Sequence, residues 1–122
     1  MSAPKKDPRF VVVGLHPAID RTIEIPRLRA GTVLRGSLAM LEASGKGANI
    51  AHNLGNFGHR VATTGFLGRW DAQFFLASFD PRHVRAEFVV VPGATRQNIT
   101  LIETDLHRDT HVTAGSLVVR PV

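Results

Sequence analysis

Two kinds of apolar pattern alternate along this chain. Phe10–Gly14 (FVVVG), Val61–Leu67 (VATTGFL) and Phe88–Val91 (FVVV) are short apolar runs rich in β-branched residues. Such runs predict core strands of a parallel sheet, and the first reads as a strand buried on both faces. Between them lie alternating segments. Ile19, Ile23 and Ile25 fall on one face and Asp20, Thr22 and Glu24 on the other, and Asn98, Thr100 and Ile102 oppose Ile99, Leu101 and Glu103. Alternation of this kind predicts half-exposed strands. Thr32–Ala43 predicts a further exposed strand, weakened at Gly36, and the polar stretch Asp105–Asp109 predicts a turn returning through Thr110–Thr113.

Helical spacing occurs twice. After Ser44-Gly45-Lys46-Gly47-Ala48-Asn49, residues Ile50, Ala51, Leu54 and Phe57 share one helix face, and Gly58 supplies a stop. Asp71 is placed to cap a short helix with Phe75, Leu76 and Phe79 as its buried stripe, and Trp70 is expected to cover the core edge. Core strands alternating with helices predict an α/β fold with a parallel sheet. The alternating segments, about 19–43 and 95–113, predict a separate antiparallel lid over one end of it. Ligands of open α/β sheets bind beyond the carboxyl ends of the strands, where Asp20 and the glycine-rich turn belong. Leu117–Val119 is left open as a fourth strand.

Composition narrows the chemistry. The 122 residues are enough for one domain, and the absence of cysteine excludes disulfides, cysteine metal sites and thiol nucleophiles. No apolar run approaches the ~20 residues that a membrane helix needs, and the apolar stretch after Met1–Arg9 is too short for a signal peptide, so a cytoplasmic protein is expected. The formal charge of +5 lies entirely in residues 1–60, which hold nine Lys/Arg against four Asp/Glu. That half favours anions. The basic residues are scattered singly without interleaved aromatics, which speaks against nucleic acid. His107 and His111 are four apart, but in a hairpin turn that spacing does not align two metal ligands. His52 and His59 have no partners at ligand spacing.

Three segments carry a resemblance. They are Gly14-Leu15-His16-Pro17-Ala18-Ile19-Asp20, then Ser44-Gly45-Lys46-Gly47-Ala48-Asn49 followed by Ala62-Thr63-Thr64-Gly65-Phe66-Leu67-Gly68, then Gly93-Ala94-Thr95-Arg96-Gln97-Asn98-Ile99. In order and spacing the chain resembles the PfkB (ribokinase-like) carbohydrate kinases, most closely their 1-phosphofructokinase and tagatose-6-phosphate kinase branch. The resemblance implies a partial ribokinase-like sheet with helices and a β lid. It further implies that Asp20 accepts hydrogen bonds from sugar hydroxyls and that Gly45 lets the backbone approach the sugar. Lys46 and Asn49 would donate from the helix entry, and Arg96 with Asn98 would meet the phosphate of a phosphorylated hexose.

The sequence departs from the family pattern at His16, Ser44 and Thr113. The family's Gly-Ala-Gly-Asp motif, which supplies the catalytic aspartate, is absent, and so is most of the ATP and Mg2+ site. The expected function is the sugar-phosphate-binding and lid portion of an ATP-dependent hexose-phosphate kinase, inactive alone. The alternative is a non-catalytic sugar-phosphate-binding or dimerisation module derived from such a kinase. A homo-oligomer joined through the lid or an exposed sheet edge is expected. Taken without the resemblance, Asp20 also fits a solvated turn residue, and Arg96 and Asn98 fit ordinary edge-strand positions.

Overall fold

The computed structural model describes residues 7–121. The N-terminal segment considered above as a signal peptide falls mostly outside that range, as do Lys5 and Lys6.

Two sheets share the chain. In the core sheet, β1 (Phe10–Gly14) pairs in parallel with β4 (Val61–Gly68), from Phe10 opposite Val61 to Gly14 opposite Gly65. The strand expected at Phe88–Val91 begins only at Val89 and is preceded by another. A short β5 (Val84–Ala86), not evident in the sequence, pairs with the first residues of β4, and β6 (Val89–Val91) pairs with its last three. Glu87 between them still donates its N–H to the Thr63 carbonyl at 2.9 Å.

Only β4 is covered as a core strand should be. Val11 and Val13 of β1 are 66% and 60% exposed, and Val89 and Val90 are exposed as well. The expectation that Phe10–Gly14 is buried on both faces therefore fails, and so does the expectation of a third buried core strand. A continuous apolar run reports what a strand is suited to pack against, and of the runs Phe10–Gly14 and Phe88–Val91 only Val12 and Phe88 meet that packing. Residues 115–121 form no strand, which answers the question left open at Leu117–Val119.

Helix α1 (Lys46–Asn56) ends where expected. Gly58 takes φ +83°, its N–H donates to Gly55 O at 2.9 Å, and the His59 N–H donates to Leu54 O at 3.1 Å. These paired bonds satisfy the last carbonyls of the helix. Its buried face differs from the predicted one: Ala48, Ala51 and Gly55 are buried, whereas Ile50 and Phe57 are exposed. Close approach explains the difference. A Cβ on Gly47 would lie 2.6 Å from Gly14 Cα, and one on Gly55 would lie 2.8 Å from a Val84 methyl. The helix lies so near the sheet that small residues form the contact and large ones are turned aside.

Helix α2 (Ala72–Ala77) buries Phe75 and packs it with Phe79 and Phe88, ring centroids 5.9 and 5.4 Å away. Asp71 precedes it without a side-chain capping bond, and Trp70 is 87% exposed instead of covering the core.

The second sheet is the lid, with strand order β3–β2–β7–β8. Strands β2 (Ala18–Ile25) and β3 (Ser37–Ser44) pair antiparallel, as do β7 (Arg96–Glu103) and β8 (Arg108–Ala114). The two antiparallel pairs are joined by a parallel pairing of β2 with β7 that sets Asp20 opposite Asn98. Strand β3 begins later than Thr32. At Gly36 the chain passes so close to β2 that a Cβ would sit 2.6 Å from an Ile23 methyl. At the far end of the lid, the buried Glu103 accepts the Leu28 N–H at 2.7 Å and pairs with Arg108. The Arg108 guanidinium, and after it the Leu28 amide, hold the Glu103 carboxyl below its ordinary range.

Candidate functional site

The site forms where β1 and β4 end and the lid begins. Gly45, at φ +108°, opens α1, and a Cβ there would lie 3.0 Å from Pro17 Cα, so the turn and the start of β2 can meet only around a glycine. At the other side, the chain is pinned by Thr95. Its hydroxyl accepts the Gly68 N–H at 2.9 Å, and its own N–H donates to both carboxylate oxygens of Asp71 at 3.2 and 3.0 Å. Asp71 is thus not the cap of α2; its carboxylate is drawn across to the root of the lid. Thr95 stands inside the third motif, yet its part in aiming the next residue was not legible from residue type.

That next residue is Arg96. Its guanidinium donates to the His16 carbonyl at 3.1 Å and to Asn98 Oδ1 at 3.4 Å. Asn98 Nδ2 in turn donates to Asp20 Oδ1 at 2.8 Å, and the Thr113 hydroxyl donates to Asn98 Oδ1 at 3.3 Å. The parallel register of β2 with β7 produces this line of side chains on one lid face, because directly opposed residues point the same way. Two departures from the family pattern fit into it. Position 16 contributes a carbonyl, which histidine has as asparagine does, and Thr113 contributes a hydroxyl donor.

Below this line lies a cavity of about 540 Å3, within the span of small-molecule sites. Lys46, Arg96 and His16 line it together with apolar groups of β1, α1 and α2. Lys46 has no ion pair among the described residues. The fold thus brings Arg96, Asn98 and Asp20 into one hydrogen-bonded line and Lys46 into the cavity that Arg96 shares. It does not bring Asn49 there. Asn49 faces a neighbouring crevice of about 480 Å3 with Glu42 and His52. His52 stacks on Phe79 at 4.4 Å, and burial lowers its pKa against the opposing pull of Glu42. His111 bonds Thr100 at 3.0 Å and lies 3.3 Å from Asp109, so it is engaged within the lid.

The family model described as pfkB family carbohydrate kinase matches residues 8–116. The chain belongs to that family. A 1-phosphofructokinase of Xanthomonas campestris pv. campestris is 38% identical over 107 residues, covering 88% of this chain and 34% of the relative. The 1-phosphofructokinase of Vibrio cholerae is 38% identical over 95 residues, covering 78% and 30%. Among solved structures, a possible 1-phosphofructokinase from Thermotoga maritima superposes with a TM-score of 0.73 at 27% identity, covering 90% of this chain and 36% of that one. The chain thus spans about a third of the length of the relatives it matches. In this PfkB chain, the lid and the carboxyl ends of β1 and β4 form the part of the fold that carries Asp20, Lys46 and Arg96.

Proposed function

We propose that the chain is the acceptor-binding and lid portion of an ATP-dependent kinase of the 1-phosphofructokinase type, acting on a phosphorylated hexose in the cytoplasm and unable to transfer phosphate alone. The observation that carries this is the line Asp20–Asn98–Arg96 beside the cavity lined by Lys46. One Asp20 oxygen is taken by Asn98, and the other has no partner among the described residues, which leaves it to accept a sugar hydroxyl. Arg96 and Lys46 supply cationic donors to the phosphate that the substrate already carries.

Phosphoryl transfer depends on positioning and on charge stabilisation around the moving group. The residues here serve the acceptor. The cavity offers cationic and neutral groups and no carboxylate, so its donor set suits an anion and does not suit Mg2+. The described residues that line this cavity do not make a fit for Mg2+.

Calorimetric titration with fructose 1-phosphate, fructose 6-phosphate and tagatose 6-phosphate tests the proposal. At least one should bind, and Arg96→Ala should weaken it roughly tenfold or more, as loss of a charge-assisted contact predicts. Absence of binding by all three would overturn it, as would an Arg96→Ala chain indistinguishable from the wild type.

The second reading, a dimerisation module, is favoured by the other lid face. The pairing register places Arg21, Leu41, Ile99 and Val112 side by side, followed by Ile23, Leu38 and Leu101, and Leu38, Leu41 and Val112 are exposed. A second copy of the chain is the occupant proposed for this face. Sedimentation should show self-association at micromolar concentration that Leu38→Lys abolishes; a monomeric wild type would remove this reading.

A further inference from the structure

The core sheet has an open edge at β5. This strand ends the order β1–β4–β5, so among the described residues no strand pairs with its outer side. Its inner side is fixed by the Val61 N–H, which donates to the His83 carbonyl at 2.9 Å, and by the Glu87 N–H, which donates to the Thr63 carbonyl at 2.9 Å. Backbone groups alternate in direction along a strand, so His83, Arg85 and Glu87 turn theirs toward β4, and Val84 and Ala86 turn theirs outward. The Val84 N–H is engaged, since it donates to the Asp80 carbonyl at 2.9 Å. The Val84 carbonyl and both backbone groups of Ala86 remain as an unpaired edge.

A groove of about 480 Å3 runs beside this edge, lined by the chain from Pro81 to Ala86 and by Arg60 and Leu76. It is accessible: Arg60, Pro81, Arg82 and Arg85 are exposed, and Leu76, His83 and Ala86 are half-buried. Its charge is one-sided, because Arg60, Arg82, His83 and Arg85 line it and no carboxylate does. Arg82 and Arg85 are paired, each at 2.8 Å, with Asp80 and Glu87. Arg60 has no ion pair among the described residues; its Nε donates to the Asp7 carbonyl at 3.0 Å, and the rest of its fork is left for a ligand.

An unpaired strand edge beside a groove is the surface on which an extended peptide adds a strand, its backbone supplying affinity and its side chains supplying choice. A second copy of this chain is disfavoured there, since pairing β5 with β5 would set the same arginines across the junction. We propose that the outer edge of β5 is a docking site for an extended acidic segment of another protein, which pairs its backbone with Ala86 and sets its carboxylates against Arg60 and the neighbouring arginines. The site lies at the Val61 end of β4, whereas the acceptor cavity lies beyond the Gly14 end of β1, so the proposal does not depend on the acceptor-site reading.

The test titrates three capped pentapeptides into the isotope-labelled chain: Glu-Val-Glu-Val-Glu, Glu-Pro-Glu-Pro-Glu and Lys-Val-Lys-Val-Lys. The readouts are the nuclear magnetic resonance shift and the hydrogen exchange of the Ala86 amide. The Glu/Val peptide should bind, move the Ala86 signal and slow its exchange about tenfold or more at saturation. The proline peptide has the same charge but cannot pair as a strand, and it should bind at least about fivefold more weakly. The lysine peptide should not bind. Arg60→Glu should weaken the Glu/Val peptide about tenfold or more, because an attraction becomes a repulsion. Ala86→Pro removes the outward N–H and no bond to β4, a place where an edge strand tolerates proline, and should weaken it by a similar factor.

An unchanged Ala86 signal with the Glu/Val peptide would overturn the proposal. Equal binding of the Glu/Val and proline peptides would also overturn it, by reducing the contact to charge alone, as would binding that Arg60→Glu leaves intact. If the Ala86 amide were already protected in the free chain, or became so as protein concentration rose, the edge would be closed by the chain itself or by a second copy, and the proposal would fall. Should Ala86→Pro fail to fold, Arg60→Glu and the three peptides on the wild type still decide.

Discussion

The core and the lid are held together by different means. The core sheet has one well-covered strand, β4, flanked by strands that are exposed on their outer sides, and its stability rests on the packing of Phe75, Leu67 and Val61, each at most 1% exposed. The lid has four paired strands of seven or eight residues, with one register shift between β2 and β3 at Thr22/Ile23, and its fixed points are polar: Thr95 at the root, Asp20–Asn98 midway, and Glu103 at the far end. Apolar burial is non-directional, so the core tolerates an incomplete surround. Hydrogen bonds require alignment, and the lid uses them to set the direction in which Arg96 and Asp20 point.

The largest effect separating the two should come from the core. Phe75→Ala should cost about 3–5 kcal/mol in denaturant unfolding, a large share of a small domain's stability. By contrast, Val11→Thr, on the exposed side of β1, should change stability by no more than about 0.5 kcal/mol. If Val11→Thr were as costly as a core substitution, β1 would be covered on both faces after all.

A smaller effect is expected at the lid root. Thr95→Val leaves the buried Gly68 N–H without its acceptor and should cost about 1–3 kcal/mol. Because the Thr95 hydroxyl ties the residue directly before Arg96 to Gly68, hexose-phosphate binding should weaken along with stability. A stable variant with unchanged binding would show that Arg96 is aimed by β7 pairing alone.

The smallest effect is at the far end, and it depends on pH. Glu103 has a carboxyl pKa lowered in the folded chain, first by Arg108 and then by the Leu28 amide, so its contribution is present above the ordinary glutamate range. That contribution is lost as pH falls through the lowered value. Amide exchange at Leu28 should therefore quicken only in acid below the usual glutamate titration, while exchange at Val61 and Leu67 holds longer. Simultaneous loss at both places would mean that lid and core open as one unit.

The sequence was most informative where structure depends on neighbours along the chain. Alternation disclosed β2 and β7, the polar turn at Asp105–Asp109 announced a return strand that the fold begins at Arg108, Gly58 marked the end of α1, and the three motifs identified the family and pointed to Asp20, Lys46 and Arg96. These features depend on side-chain period and on turn chemistry, both of which are local.

Other features were decided only in three dimensions. The apolar run of β1 implied two covered faces, but coverage depends on what lies alongside, and Val11 and Val13 are open. The face of α1 was set by how closely Gly47 and Gly55 let it approach the sheet, which helical periodicity cannot register. Asn49 and Lys46 are three residues apart at one helix entry, yet they line different spaces. Thr63 reads in the sequence as one more residue of a buried strand, and only the fold shows its buried hydroxyl to be without a hydrogen-bond partner among the described residues. The amino-acid pattern determines what each segment can pair with or bury; which group is left unsatisfied, and beside which other, depends on contacts between residues distant in the chain, and so is settled only when the two sheets are brought together.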